Sequence, residues 1–379
     1  MAYWAAFFLV LIVGFAIELF LGRRWWRLVW VTVVATLIFG GVIAADYYWR
    51  TLDQEVWSGS ITGWEHKEEW DEWIPGKEDC ETDSHGRKSC TKDRGHWEHH
   101  EAKNKIQTSD NGWMTVDESL DGKVDFNDRF PNSTADLAKY FPLGMPSAST
   151  HIYTNKVKGS YSLFKHTELD PKDYTDLPSY PGYVRDLIKV DRIVGAVPNK
   201  DRALDILAAW NTKLNKDIPD PDHPGKTRSW KQVNLIFVNV GTDKPREYGY
   251  ALQDRWQNGN KNDFIVSFSP ALDGTMKWVY AFSWSEVDIL KLEVQDYLSE
   301  MGFGKDFAPI VDHVAQMVAD KFERKQFAEF SYLQIEPSNT STIIIWVLEL
   351  MLLAFYGYKA IRSYMRGRGR SSYDRGFEY

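Results

Sequence analysis

The chain has 379 residues, 44% of them hydrophobic and 26% charged, with a formal net charge of −8. That length accommodates two domains, and the acidic balance argues against nucleic acid as a partner. With only two cysteines, a zinc site built from thiolates alone is excluded.

Two apolar runs, Tyr3 to Leu21 and Trp26 to Ala45, form a predicted transmembrane hairpin within residues 1–45. Each approaches the ~20 residues that a helix needs to cross a bilayer. A third run, Thr342 to Ile361, is the other predicted span. Arg23, Arg24 and Arg27 crowd the turn between the first two, and Lys359, Arg362, Arg366, Arg368, Arg370 and Arg375 follow the third. Basic residues resist translocation, so both groups are expected inside. Residues 46–341 are then an ectodomain outside the cytoplasm, periplasmic or extracellular, and 362–379 are a flexible basic cytoplasmic tail suited to anionic lipid. Cleavage after span two, at "VIAAD", is the alternative. Setting aside nine bases and four acids of the spans and their inside flanks leaves 36 Lys and Arg against 49 Asp and Glu outside.

Residues 50–167 are rich in Trp, Thr and Ser and show short alternating segments, which predicts a β-rich domain with one helix at "STADLAKYF". Cys80 and Cys90 fall in the polar loop "CETDSHGRKSC", where a disulfide is favoured over free thiols in an oxidising compartment. "GSITGWEHKEEWDEW" and "GHWEHHEAKNKIQTSD" flank that loop almost symmetrically. A hairpin closed by the disulfide sets Trp73 opposite Trp97 and Trp64 opposite Ile106. The "HWEHHE" stretch, His96 to Glu101, then lies on a strand, with His96 and His100 ~13 Å apart, too far to chelate one ion. "ASTHIYTNKVKGSYSLF" reads as one or two further strands.

A better metal candidate is "DESLDGKVDFND". Asp117, Ser119, Asp121, Asp125 and Asp128 occupy positions 1, 3, 5, 9 and 12 of a calcium-loop spacing with Gly122 at position 6. Its flanks do not look helical and position 12 is not Glu, so an Asp121-Gly122 hairpin turn competes with calcium.

Three prolines in "DPKDYTDLPSYPGY" mark 168–183 as a connection. Beyond it, in 184–335, helical and strand periodicities alternate. "KDRALDILAAWNTKLN" and "REYGYALQDRWQNG" are helical, "KQVNLIFVNVG" is a buried strand, and "DFIVSFSPALDGTMKWVYAFSW" is two strands about a turn. Two amphipathic helices follow, over 285–300 and 306–325.

From Asp191 to Leu333 the chain resembles the TPM domain family. The carriers are "ALDILAAWNTKLN", "VNLIFVNVG", "YALQDRW", "GNKNDFIVSFSP", "WVYAFSW" and "VADKFERKQFAEFSYL". Trp256, Gly259, Asn262 and Asp263 follow the family's helix-to-strand step, whereas "KWVYAFSW" lacks its usual GYG segment. The resemblance implies an α/β/α sandwich followed by a span, in a family associated with acid phosphatase activity, calcium binding and the maintenance of membrane complexes.

The expected fold is therefore an α+β membrane protein with three transmembrane helices, a β-rich module and a TPM-like α/β/α module. No nucleophile and base stand out, so the favoured function is a membrane-anchored scaffold or assembly factor that binds a membrane or envelope protein complex, with a homo-oligomer as a further partner class. The alternative is a metal-dependent, phosphatase-like hydrolase. Its ion, calcium if any, is held near strand ends by Asn239, Asp243, Asp254 and Asp263. The scaffold needs no cofactor. Glu349 lies deep in span three, where a charged carboxylate costs about 2.5 to 3.5 kcal/mol on insertion scales. It is expected to be neutral, paired or turned toward another helix, with Thr32 and Thr36 of span two, or a neighbouring subunit, as the contact.

Overall fold

The computed structural model describes residues 2–22, 25–82, 88–116, 126, 130–161, 164–182 and 191–373. Helix α1 (Ala2–Ile17) passes into a π-helical turn (Glu18–Gly22), and α2 (Trp25–Thr51) returns. The chain enters β1 (Leu52–Lys67) without a connecting loop. Strands β2 (Trp70–Ile74), β3 (Glu78–Thr82), β4 (Lys88–Lys92), β5 (His96–His100), β6 (Lys103–Thr108) and β7 (Gly112–Val116) follow. Next come α3 (Thr134–Tyr140), β8 (Pro146–Thr154), α4 (Lys156–Gly159) and β9 (Ile193–Val194). The remainder is α5 (Lys200–Leu214), β10 (Asp217–Pro219), β11 (Thr227–Ser229), β12 (Asn234–Asn239), α6 (Glu247–Arg255), β13 (Asp263–Pro270), β14 (Met276–Ser283), α7 (Asp288–Met301), α8 (Ala308–Lys321) and α9 (Asn339–Tyr373).

Two compact units result. The first joins Met1–Asp53, Tyr153–Phe164 and Phe327–Tyr379. Among its described residues, three helices are long and apolar enough to cross a membrane: Ala2–Leu21, Trp25–Thr51 and Asn339–Arg366. Small residues let them approach, as expected where lipid removes the hydrophobic drive between helices. Ala6, Gly14 and Ala35 are buried, and a Cβ on Gly14 would meet Leu28 Cδ1 at 3.3 Å. Two expectations need correction. Helix α2 runs to Thr51, past the expected end at residue 45, and the basic tail continues α9 to Tyr373, where no proline interrupts the hydrogen-bond ladder.

The second unit is Gln54–Ile152 with Lys165–Gln326. Its first sheet, in the order β7-β6-β1-β8, packs Ile61, Ile106, Met114 and Val116 against Leu137 and Phe141 around α3. The expected register is present: Trp64 faces Ile106, Trp73 faces Trp97 and Cys80 faces Cys90, which form a disulfide. Of the one or two strands expected from "ASTHIYTNKVKGSYSLF", β8 is the one that forms. Asn155 accepts from Val157 N at 3.0 Å and starts the short helix α4 instead.

The second sheet has the order β14-β13-β12-β9, with β9, β12 and β13 parallel and β14 antiparallel. Alternation along β12 explains its two covered faces. Leu235 and Phe237 pack with α5, α7 and α8, whereas Ile236 and Val238 pack with Leu252 and Trp256 beside α6. Residues 168–182 pack on this unit: Leu177 is buried in the second of these clusters, and Trp256 Nε1 donates to Pro178 O at 3.0 Å.

Candidate functional site

Strands β2 and β5 form a two-stranded ribbon that continues into β3 and β4, with no third strand on either pair among the described residues. An isolated ribbon is marginal in water, so its side chains must hold it. Trp73 and Trp97 pack edge to face with centroids 5.3 Å apart, yet remain 48% and 67% exposed. Trp70 stacks on His100 at 4.5 Å, and Lys67 Nζ lies 3.1 Å from the Trp70 ring centre. Each contact is a cross-strand or cation–π pair that fixes register.

The "HWEHHE" histidines diverge along this ribbon. His99 Nδ1 meets Asp71 Oδ1 at 2.8 Å, His100 Nε2 meets Glu72 Oε2 at 3.1 Å, and His96 lies opposite Ile74. The Asp71 hydrogen bond raises the His99 pKa above its ordinary value. Upstream, His66 Nδ1 meets Asn104 Oδ1 at 2.7 Å. Glu78, Cys80 and Cys90 lie within reach of one ion, but the two sulfurs are joined to each other and have no thiolate to offer.

Asp117, Ser119, Asp121, Asp125 and Asp128 lie outside the described residues. The other four predicted ligands do not converge. Asn239 ends β12 and donates from Nδ2 to Ala196 O at 2.7 Å, while Asp243 accepts from Lys277 at 3.4 Å. Asp263 begins β13 and accepts from Asn234 Nδ2, Tyr180 Oη and Asn260 N, each at 2.8 Å. Because Asn234 pairs with Asp263 and Asn239 with Phe268, Asn239 and Asp263 sit at opposite ends of adjacent parallel strands, about 16 Å apart. Asp254 holds His166 through its backbone N at 3.1 Å and its Nδ1 at 2.9 Å, beside a cavity of about 220 Å³ lined by Leu169, Tyr174 and Leu177. That pair resembles a base and its orienting carboxylate, but no hydroxyl or thiol among the described residues bonds the imidazole.

A buried polar seam, with no signal in the sequence, joins the two sheets of this unit. Glu55 on β1 has a side chain only 3% exposed and accepts from Arg324, with Lys261 Nζ at 3.3 Å and Trp57 Nε1 at 2.9 Å. Asn262 Nδ2 donates to Val56 O at 2.9 Å, and Thr212 Oγ1 to Gly59 O at 2.8 Å. Arg192, just before β9, is fully buried, and burial pushes its guanidinium down to about 10. Among the described residues its Nε and Nη2 have no hydrogen-bond partner, nor do Ser58 Oγ, Asp110 Oδ2, Asn234 Oδ1 and Asn262 Oδ1. A charged pair before an apolar strand, as in "DRIVG", is too common a pattern to announce such a position.

In the membrane unit, Asp46 accepts from Ser338 Oγ and Ser341 Oγ, both at 2.7 Å. Arg50 Nη2 donates to Gly159 O at 2.7 Å, and Asp53 accepts from Lys158, Asn155 and Tyr153 at 2.7 to 2.9 Å. Deeper, Tyr356 Oη donates to Glu18 Oε1 at 2.6 Å. Glu349 is buried, and neither of its oxygens has a hydrogen-bond partner among the described residues. The expected bond from span two is not made; Thr36 Oγ1 turns back to Thr32 O at 2.8 Å. Comparison with family models, with curated proteins and with solved structures finds no match to this chain.

Proposed function

We propose that this chain is a membrane-anchored scaffold or assembly and maintenance factor. Its ectodomain, outside the cytoplasm, binds a protein of a membrane or envelope complex through the disulfide-closed ribbon. The observation that carries this reading is the ribbon itself: a two-stranded arm that leaves Trp73 and Trp97 about half to two-thirds exposed. Large aromatics on a rigid, cross-linked element lose little side-chain freedom on binding and dominate the energetics of interfaces. The TPM-like assignment of 184–335 and the cytoplasmic placement of the C-terminus belong to the same proposal and rest on the sequence pattern.

The test is isolation of the intact protein from its native membrane, with and without Trp73→Ala and Trp97→Ala. A stoichiometric partner is expected with the native chain. Each substitution should weaken its retention by roughly 2 kcal/mol, or about 30-fold. A partner-free protein that hydrolyses phosphate esters in the presence of calcium would overturn the scaffold and favour the hydrolase.

A further inference from the structure

The three-helix unit carries a groove of about 980 Å³ between α2 and α9, at the end of the bundle nearest the α1–α2 turn. Its inner wall is apolar, with Trp30, Leu352 and Phe355. Four cations ring its outer part: Arg27 from α2 and Lys359, Arg362 and Arg366 from α9. The last three fall at i, i+3 and i+7, which places them on one helical face. Arg27 Nη2 reaches Ser363 Oγ at 3.2 Å, so the two helices bring the four charges to a single opening.

No acidic residue lines the groove. None of the four cations forms an ion pair with a carboxylate among the described residues, whereas cations of the other unit do so repeatedly, as Lys200 with Asp191 and Lys321 with Glu293. Four like charges beside one another repel unless an anion lies among them. The geometry is graded in depth. From Arg366 to Lys359 is about 10 Å of helix, and from Lys359 to Leu352 about 10 Å more. The first interval is long enough to cross one headgroup layer, and the second enters the hydrocarbon.

We propose that this groove is a binding site for one anionic phospholipid, its phosphate among Arg27, Lys359, Arg362 and Arg366 and its upper acyl chain against Trp30 and Phe355. Both chemical halves are needed. Basic pockets between transmembrane helices take anionic headgroups, and aromatic rings sit at the level where headgroup meets chain. The site is distinct from the tail beyond Arg366 and does not depend on the scaffold reading.

The test uses the full chain in detergent. Native mass spectrometry titrates phosphatidylglycerol against phosphatidylcholine of the same acyl chains, with water-soluble glycerol phosphate as competitor. Phosphatidylglycerol should be retained at least about tenfold more strongly, unaffected by glycerol phosphate. Arg362→Gln with Arg366→Gln should abolish the preference, Arg362→Lys with Arg366→Lys should keep it, and truncation after Arg366 should leave it intact. A photoactivatable phosphatidylglycerol should label α2 and α9 peptides of the native chain, a readout that stands if the Gln variant fails to fold. Equal retention of the two lipids, displacement by glycerol phosphate, or labelling and loss confined to residues 367–379 would overturn the proposal.

Discussion

Glu55→Gln isolates the contribution of the buried seam. The native carboxylate faces Arg324 and Lys261, whose side chains are 15% and 22% exposed, and accepts from Trp57 Nε1 at 2.9 Å. Removing one partner of a buried ion pair typically costs about 3 to 5 kcal/mol, because the remaining charge is left in a poor solvent. Arg324 also donates to Gln232 Oε1 at 2.6 Å and Lys261 keeps some access to water, which places the loss at the lower end, about 3 kcal/mol. For a unit of this size, that lowers the midpoint of thermal unfolding by roughly 6 to 12 °C. The measurement is unfolding of the full chain in detergent, followed by tryptophan emission. A double-mutant cycle with Arg324→Gln should return a coupling of at least about 1.5 kcal/mol, since the two groups share one contact. A shift below about 2 °C, or additive single and double variants, would show that water solvates Glu55 and that the seam is not a low-dielectric joint.

His99 should titrate above 6.5 in nuclear magnetic resonance spectra, and Asp71→Asn should return it toward that value. Because its folded pKa is raised, the stabilising effect of the Asp71 contact is fully present below the unfolded pKa and lost as pH rises through the folded one. In the native, non-reduced protein neither Cys80 nor Cys90 should alkylate. Reduction should open the ribbon to proteolysis between residues 70 and 100, since a short ribbon without its cross-link is marginal. Glu349→Leu should insert normally and leave the bundle as stable or up to about 2 kcal/mol more stable, because it replaces a buried carboxyl that no described residue hydrogen-bonds with an apolar side chain. A loss of bundle stability would reveal a partner that Glu349 gains in the membrane.

The register of the ribbon was legible because its determinants are local. Two cysteines ten apart and near-symmetric flanks leave one pairing that sets tryptophan opposite tryptophan, and β2 and β5 adopt it. The layers of the second sheet were legible for a similar reason: "VNLIFVN" supplies large apolar groups to both faces, so both must be covered. Other features depend on distant partners. Nothing near Glu55 in the sequence announces Arg324, 269 positions away, and Asn239, Asp243, Asp254 and Asp263 are close in sequence although β12 and β13 run parallel and separate two of them. Likewise "NKVKGSY" has the β-branched and aromatic content of a strand, but the Asn155 cap and the Gly159 backbone contact to Arg50 decide for a helical turn.

The membrane unit applies two different forces at two depths, and the division follows from solvent. Within the bundle, lipid is as apolar as the helices, so association depends on close packing, and Ala6, Gly14, Ala35 and Ala360 supply buried small surfaces for it. At the end where α2 leaves and α9 begins, Asp46, Arg50 and Asp53 replace packing with hydrogen bonds and ion pairs to Ser338, Ser341, Gly159 and Lys158. These polar groups also explain why α2 extends to Thr51. Its last turn carries Arg50, which accepts no role in hydrocarbon but reaches two backbone carbonyls, of Gly159 and Glu336, once it stands beyond the apolar run. A helix ended at residue 45 would lose the one-turn spacing that sets Arg50 beside Asp46 at 3.4 Å and aims it at those two carbonyls. The polar end of span two is thus part of the bundle's structure.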